Sequence, residues 1–330
     1  MRTGDILIEK SVFCIFDINL PYVNLTNVTL GTEDEQGRYI YQLLAKYFDD
    51  IQAKRAEFTD EDFLGELLSK GEDPFDSFLT YAGDEIHHLM VENPEIQQGC
   101  GIFVKAVMGE ESYIIFLKLN LQSGFSCQLD EQGLISWKRN TMLIPPASKK
   151  VTEYVYINLS DSTVRVSDFA CYVNGNKTNY LADLICKIRP KKSEKETIEA
   201  ITDAIAATIE EKYEEEIPQK LIESKKAVAA IVEEKGSIAP EDLKKTVFAD
   251  NEEAADRYME KLVEERLPKG EVEVSTKMER RLNRKQKIVT ASGIEILVPM
   301  EFLQDASVFE YVQDETGRVC IMIKETGRIV

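Results

Sequence analysis

Residues 101–120 contain Gly101-Ile-Phe-Val-Lys-Ala-Val107, then Met108-Gly-Glu-Glu111, then Tyr113-Ile-Ile-Phe-Leu-Lys-Leu-Asn120. Two apolar, β-rich runs around a short polar turn predict a pair of antiparallel strands. Downstream, 124–129 and 134–138 flank a turn at Glu131-Gln-Gly133, so the pair is expected to continue as an antiparallel meander. After Pro145-Pro146 strands resume at 154–159 and 163–166, and Thr178 is expected to open a helix through Ile188.

Upstream the pattern is helical. Pro74 suits the first turn of a helix running over 75–91, and Thr59-Asp-Glu-Asp62 reads as a capping box ahead of Phe63, Leu64, Leu67 and Leu68. Thr32 is expected to cap a further helix, with Glu33, Asp34 and Glu35 in its first turn and Tyr39, Leu43, Tyr47 and Ile51 on its apolar face. The β-branched stretch 6–16, interrupted at Glu9, Lys10 and Ser11, predicts a bent strand or a hairpin. Residues 1–189 are therefore expected to form one domain, an antiparallel sheet with helices.

Pro190 and Lys191-Lys-Ser-Glu-Lys195 mark the clearest boundary, and 190–330 is expected to be a second region. Its helices, over about 193–267, place Ile198, Ile201, Ile205 and Ile209 on one face and break at Pro218, Gly236, Pro240 and Pro268. Glu214-Glu-Glu216, Glu233-Glu234, Glu252-Glu253 and Glu264-Glu265 make that region acidic. Strands over about 286–326 predict a small C-terminal antiparallel sheet. The fold class is α+β.

Hydrophobic residues make up 43% of the chain, which is the composition of a folded protein. Asp5 and Glu9 interrupt the apolar run a signal peptide would need, and no segment approaches the length of a membrane span. A cytoplasmic protein with no membrane contact is expected. The six cysteines are widely spaced and hold no C-x-x-C pair, so they read as buried free thiols. A formal net charge of -19 opposes indiscriminate binding to nucleic acid, so any such contact must be local.

Searching for chemistry returns little. His87 and His88 are neighbours in an expected helix and point about 100° apart, so they cannot serve one metal or one nucleophile. No phosphate-cradling glycine motif is present. Asp161, Asp168, Asp183 and Lys187 could be imagined as a metal-dependent nuclease site, but they match no specific spacing, and coincidences are expected among 59 acidic residues. No catalytic residue, metal site or cofactor is expected.

Two basic groups stand out. Residues 277–287 hold Lys277, Arg280, Arg281, Arg284, Lys285 and Lys287 against a single acid, Glu279. On a helix Lys277, Arg280, Arg284 and Lys287 would form a cationic stripe beside Met278 and Leu282. That stripe suits a phosphate backbone, and it equally suits a solvated connector or a neutraliser of the acidic helices. The second group is Lys187, Arg189, Lys191, Lys192 and Lys195, around Pro190. The helix macrodipole is a sufficient reason for Lys187 and Arg189 but not for Lys191 and Lys192. Neither group is interleaved with aromatics, which favours duplex backbone contact over stacking of single strands.

The order of these segments resembles the bacterial 37-kDa nucleoid-associated protein family. The resemblance rests on the strand pair at 101–120, Tyr154-Val-Tyr-Ile-Asn-Leu159, Asp168-Phe-Ala-Cys-Tyr-Val-Asn-Gly175, the charged helical middle, and the ending Ala291-Ser-Gly-Ile-Glu-Ile-Leu-Val-Pro-Met-Glu-Phe-Leu303 with Arg318-Val-Cys-Ile-Met-Ile-Lys324. It implies a nucleoid location, double-stranded DNA as partner, a non-catalytic role and, as in some family members, a type II topoisomerase or other DNA-handling protein as partner. An alternative role is an acidic interaction module docking on such a protein. The amphipathic helices and an exposed sheet edge leave homodimerisation open.

Overall fold

The strands around Met108 pair antiparallel from Gly99↔Asn120 to Met108↔Glu111. The computed structural model describes residues 6–20, 23–28, 34–71, 73–129, 133–213, 217–268, 270–284, 286–289, 293–303, 305, 307–313 and 319–324. The chain divides into two units, Met1–Lys192 and Ser193–Val330.

The first unit runs β1 Ile6–Phe16, β2 Asn24–Val28, α1 Glu35–Phe48, β3 Lys54–Glu57, α2 Phe63–Ser69, α3 Pro74–Glu92, β4 Gly99–Met108, β5 Glu111–Asn120, β6 Gln122–Leu129 and β7 Ile135–Leu143. It continues with β8 Glu153–Asn158, β9 Thr163–Ser167, β10 Ala170–Val173, β11 Asn176–Asn179 and a π-helix, Tyr180–Ile185. Seven strands form one antiparallel sheet in the order β2-β1-β4-β5-β8-β9-β3. A register shift between Ile8 and Lys10 bends β1 where its apolar pattern breaks.

Both faces of this sheet are covered, which is why β5 and β8 read as nearly unbroken apolar runs. Phe103, Ile114, Phe116, Val155 and Ile157 face α2, α3 and the π-helix. Val104, Ile115, Leu117, Tyr154 and Tyr156 face α1. The Tyr156 hydroxyl donates to the carbonyl of Leu44 at 3.1 Å, tying α1 to the sheet. Phe103 and Phe116 lie with ring centroids 4.6 Å apart, so Phe116→Ala would cost about 3–5 kcal/mol. A Cβ on Gly101 would meet Cys14 Sγ at 2.4 Å, so only glycine lets β1 and β4 close here. Within the first face lies Lys118, 1% exposed, 2.7 Å from Glu153 Oε1 and in register with it. The Tyr180 hydroxyl donates to the same oxygen at 2.6 Å.

Two expectations need correction. The meander does not continue, because β5 takes β8 as its next neighbour while β6 and β7 pair with each other as a separate two-stranded sheet. Thr178 does not open a helix; it belongs to β11, which pairs with β10 around Asn174 and Gly175, at φ 51° and 80°. Those left-handed angles make a tight hairpin. The following helix begins at Tyr180, where Asp168 Oδ2 accepts the amides of Leu181 and Ala182 at 2.9 and 3.1 Å. At α3, Pro74 occupies the first turn and Asp73 caps the Phe75 amide. Thr32 lies outside the described residues.

The second unit runs α4 Glu194–Lys212, α5 Ile217–Lys235, β12 Ser237–Ile238, α6 Pro240–Val247, α7 Glu252–Glu264, β13 Val272–Glu273, α8 Thr276–Arg284, β14 Gln286–Val289, β15 Glu295–Val298, α9 Met300–Leu303, β16 Phe309–Gln313 and β17 Val319–Ile323. Ser193 and Glu196 close a capping box at the start of α4. Ile198, Ile201, Ile205 and Ile209 are buried, as their spacing predicts. The C-terminal strands form two antiparallel hairpins, β14–β15 and β16–β17, and Val298, Leu303 and Phe309 pack with Ala229 of α5.

Candidate nucleic-acid interface

The helix α8 forms from good helix formers, and Ser275 begins it by accepting the Met278 amide on Oγ at 3.3 Å. The Ser275 amide donates to Glu194 Oε1 at 2.6 Å, fixing the helix entry to the start of α4. Met278 is 1% exposed and anchors the inner face. Lys277, Arg280 and Arg281 are exposed. Arg281 Nη2 donates to Glu199 Oε1 at 3.0 Å, and Lys195 Nζ stands 3.7 Å from the same oxygen. One member of each basic group therefore meets on one carboxylate of α4. Arg280 makes no ion pair among the described residues.

The helical stripe is shorter than its spacing predicts. The helix ends at Arg284, and Lys287 belongs to β14, in register with Leu297, so it does not continue the stripe. A β-branched pair, Ile288 and Val289, follows directly and favours the strand. Lys285 and the side chains of Arg284 and Lys287 lie outside the described residues.

The remaining members of the other group belong to the first unit. Lys187 turns the chain out of the π-helix at φ 52°, and its ammonium lies 3.8 Å from the Phe63 ring centroid. A cation–π contact of this kind is worth about 0.5–1 kcal/mol at an exposed site, which gives Lys187 a local structural role. Arg189, Lys191 and Lys192 are exposed. The Lys191 amide donates to the carbonyl of Arg55 at 2.8 Å, so this segment runs against the edge strand β3. Glu57 on that strand lies 3.5 Å from Lys191 Nζ, with both side chains more than 70% exposed. Arg55 is exposed beside Lys191 and joins this basic edge. Nothing local in the sequence links it to residues so far along the chain.

Asp161, Asp168 and Asp183 are engaged locally. Asp168 accepts from Asn179, Leu181 and Ala182, Asp183 from the Asn179 amide, and Asp161 from Thr163. Burial, opposed by these donors, raises the Asp168 carboxyl above its usual range. His87 lies 3.2 Å from the carbonyl of Asp17, while His88 is exposed and 3.5 Å from Glu92. Four cysteines are buried and all six are free; Cys127 and Cys320 are exposed.

The surface pairs are weak competitors for phosphate. Arg281 and Glu199 are 52% and 45% exposed at their side chains, and pairs this open contribute about 0–1 kcal/mol. A phosphate could displace the carboxylate at little cost.

The profile of the family described as NA37, nucleoid-associated protein YejK, matches residues 17–328. No curated protein matches the chain.

Proposed function

This chain belongs to the nucleoid-associated protein YejK family, and from that membership we propose that it binds the backbone of duplex DNA through two local basic surfaces. Membership of the family implies a nucleoid location. One surface is α8, through Lys277, Arg280 and Arg281 with Arg284, Lys285 and Lys287 following in sequence. The other is the β3 edge, through Arg55, Arg189, Lys191 and Lys192. The observation that carries this reading is the concentration of exposed cations at these two places in a chain of net charge -19. The acidic remainder repels phosphate and so confines contact to them. The role is non-catalytic and cytoplasmic, and no helix among the described residues is long and apolar enough to cross a membrane.

Binding to a random duplex, measured between about 50 and 200 mM salt, tests this proposal. Eight phosphate contacts, four at each surface, would give a slope of about -7 in log affinity against log salt. Changing Arg280, Arg281, Arg284 and Lys285 to Ala should flatten it by about 3–4, and changing Arg55, Arg189, Lys191 and Lys192 to Ala should act alike. Unchanged affinity in both quadruple variants would overturn the assignment of the surfaces.

A second reading uses the acidic helices as a docking face for a basic DNA-handling protein such as a type II topoisomerase. Glu233, Glu234 and Glu252 are exposed there. Capture from extract with and without nuclease separates the readings, since a docked partner survives digestion and a DNA-tethered one is lost.

A further inference from the structure

Lys118 of β5 and Glu153 of β8 are already register partners, so a tight turn could have joined these strands. The chain instead inserts residues 121–152, which carry the β6–β7 hairpin. Cross-strand partners share a face. Phe125↔Arg139, Cys127↔Trp137 and Leu129↔Ile135 therefore make one face apolar, while Ser126↔Lys138 and Gln128↔Ser136 make the other polar.

Among the described residues, nothing covers the apolar face. Phe125, Leu129, Ile135 and Trp137 are 68%, 73%, 69% and 72% exposed, and every residue of β7 is exposed. The two rings lie against each other at 6.3 Å between centroids, forming one continuous patch. A lone two-stranded ribbon is at best marginally stable in water, whereas four strands sharing an apolar face are not so limited.

We propose that this arm packs against the same arm of a second copy of the chain, apolar face to apolar face about a two-fold axis. The occupant follows from area and self-complementarity. Phe125, Trp137, Leu129 and Ile135 present roughly 500 Å² per copy, so two arms together bury roughly 1,000 Å² from these four side chains alone, the minimum that a biological interface needs. A two-fold arrangement needs only this one surface, and it leaves the polar faces and their lysines in water. Duplex DNA is a poorer occupant, because each face offers one cation, Lys138 or Arg139, against a chain of net charge -19. The inference stands independently of the DNA-binding reading.

Sedimentation equilibrium of the full chain between about 1 and 50 μM tests it. The wild type should have the mass of a dimer. Phe125→Ser with Trp137→Ser should weaken association at least ~100-fold, as expected when two aromatic anchors are removed. The circular dichroism spectrum should be preserved, since both rings are exposed in the single chain. Ile135→Lys, a single change nearer the turn, should also dissociate the dimer and guards against misfolding of the double variant. Ser136→Asp, on the polar face, should leave it intact. A monomeric wild type across this range, or an apolar-face variant that keeps the wild-type dimer, would overturn the proposal. So would a double variant that loses DNA affinity with its mass unchanged, which would make the arm a nucleic-acid contact.

Discussion

Arg281 and Lys195 share one carboxylate: Arg281 Nη2 lies 3.0 Å and Lys195 Nζ 3.7 Å from Glu199 Oε1. Two cations separated by most of the second unit's sequence are thereby held side by side on α4 and α8. Glu199 orders them and also competes with an incoming phosphate.

Glu199→Gln removes that competitor while keeping an acceptor oxygen. On the DNA-binding reading, affinity for a random duplex should rise and the salt slope should steepen by about 1–2, one increment for each cation released. Fluorescence anisotropy across a salt series measures both. A weaker, flatter response would mean that Glu199 positions the cations more than it blocks them.

Lys118→Met should destabilise the first unit strongly. It leaves Glu153 buried with the Tyr180 hydroxyl as its remaining close partner, at 2.6 Å, and breaking a buried pair in this way costs about 3–5 kcal/mol. Combining it with Glu153→Leu should recover much of the loss, because no uncompensated charge then remains. Urea unfolding of the two variants gives the comparison.

Ser193→Ala should cost about 1 kcal/mol in the second unit. Ser193 Oγ accepts the Glu196 amide at 3.1 Å, and Glu196 Oε2 accepts the Ser193 amide at 2.8 Å. Ser193→Asp retains an acceptor at the cap and should restore most of the loss. Thermal unfolding followed by circular dichroism reads both.

Asp73 should contribute to acid unfolding. Burial opposes its ionisation, but the Phe75 amide and Lys105 outweigh that and hold the carboxyl below its ordinary range. Since the folded state lowers this pKa, the stabilisation is complete above the unfolded value of about 3.9 and is lost as pH falls through the folded one. Urea midpoints should therefore fall below about pH 4, and they should fall less steeply in Asp73→Asn than in the wild type.

Much of this architecture was legible because local chemistry and tertiary packing agree. The unbroken apolar run in β5 follows from a sheet covered on both faces, and the polar interruption at Glu9 and Lys10 coincides with the bulge in β1. Thr178 has the chemistry of a helix cap, yet Asn174-Gly175 is itself a strong hairpin signal and outweighs it, so the π-helix starts later, at Tyr180. The pairing of β5 with β8 had no local signature, since β6 follows β5 directly and alternates as any strand would. Within the candidate interface the charges were readable, but their surroundings were not. That Lys187 rests on Phe63, or that Arg55 joins Lys191, depends on contacts between distant segments.

The arm is rooted between two interior strands of the sheet, and that root decides how the molecule would respond to tension. A pull on β6 and β7 reaches the sheet where β5 ends and β8 begins, and the first rung it meets is Lys118↔Glu153. From that end an antiparallel pair opens like a zipper, rung by rung, whereas a lengthwise pull would shear all its hydrogen bonds together. The buried ion pair therefore acts as a latch at the point where load arrives. While it holds, a force borne by the arm leaves the sheet closed; once it opens, the same force spreads between β5 and β8 and into the aromatic core behind them.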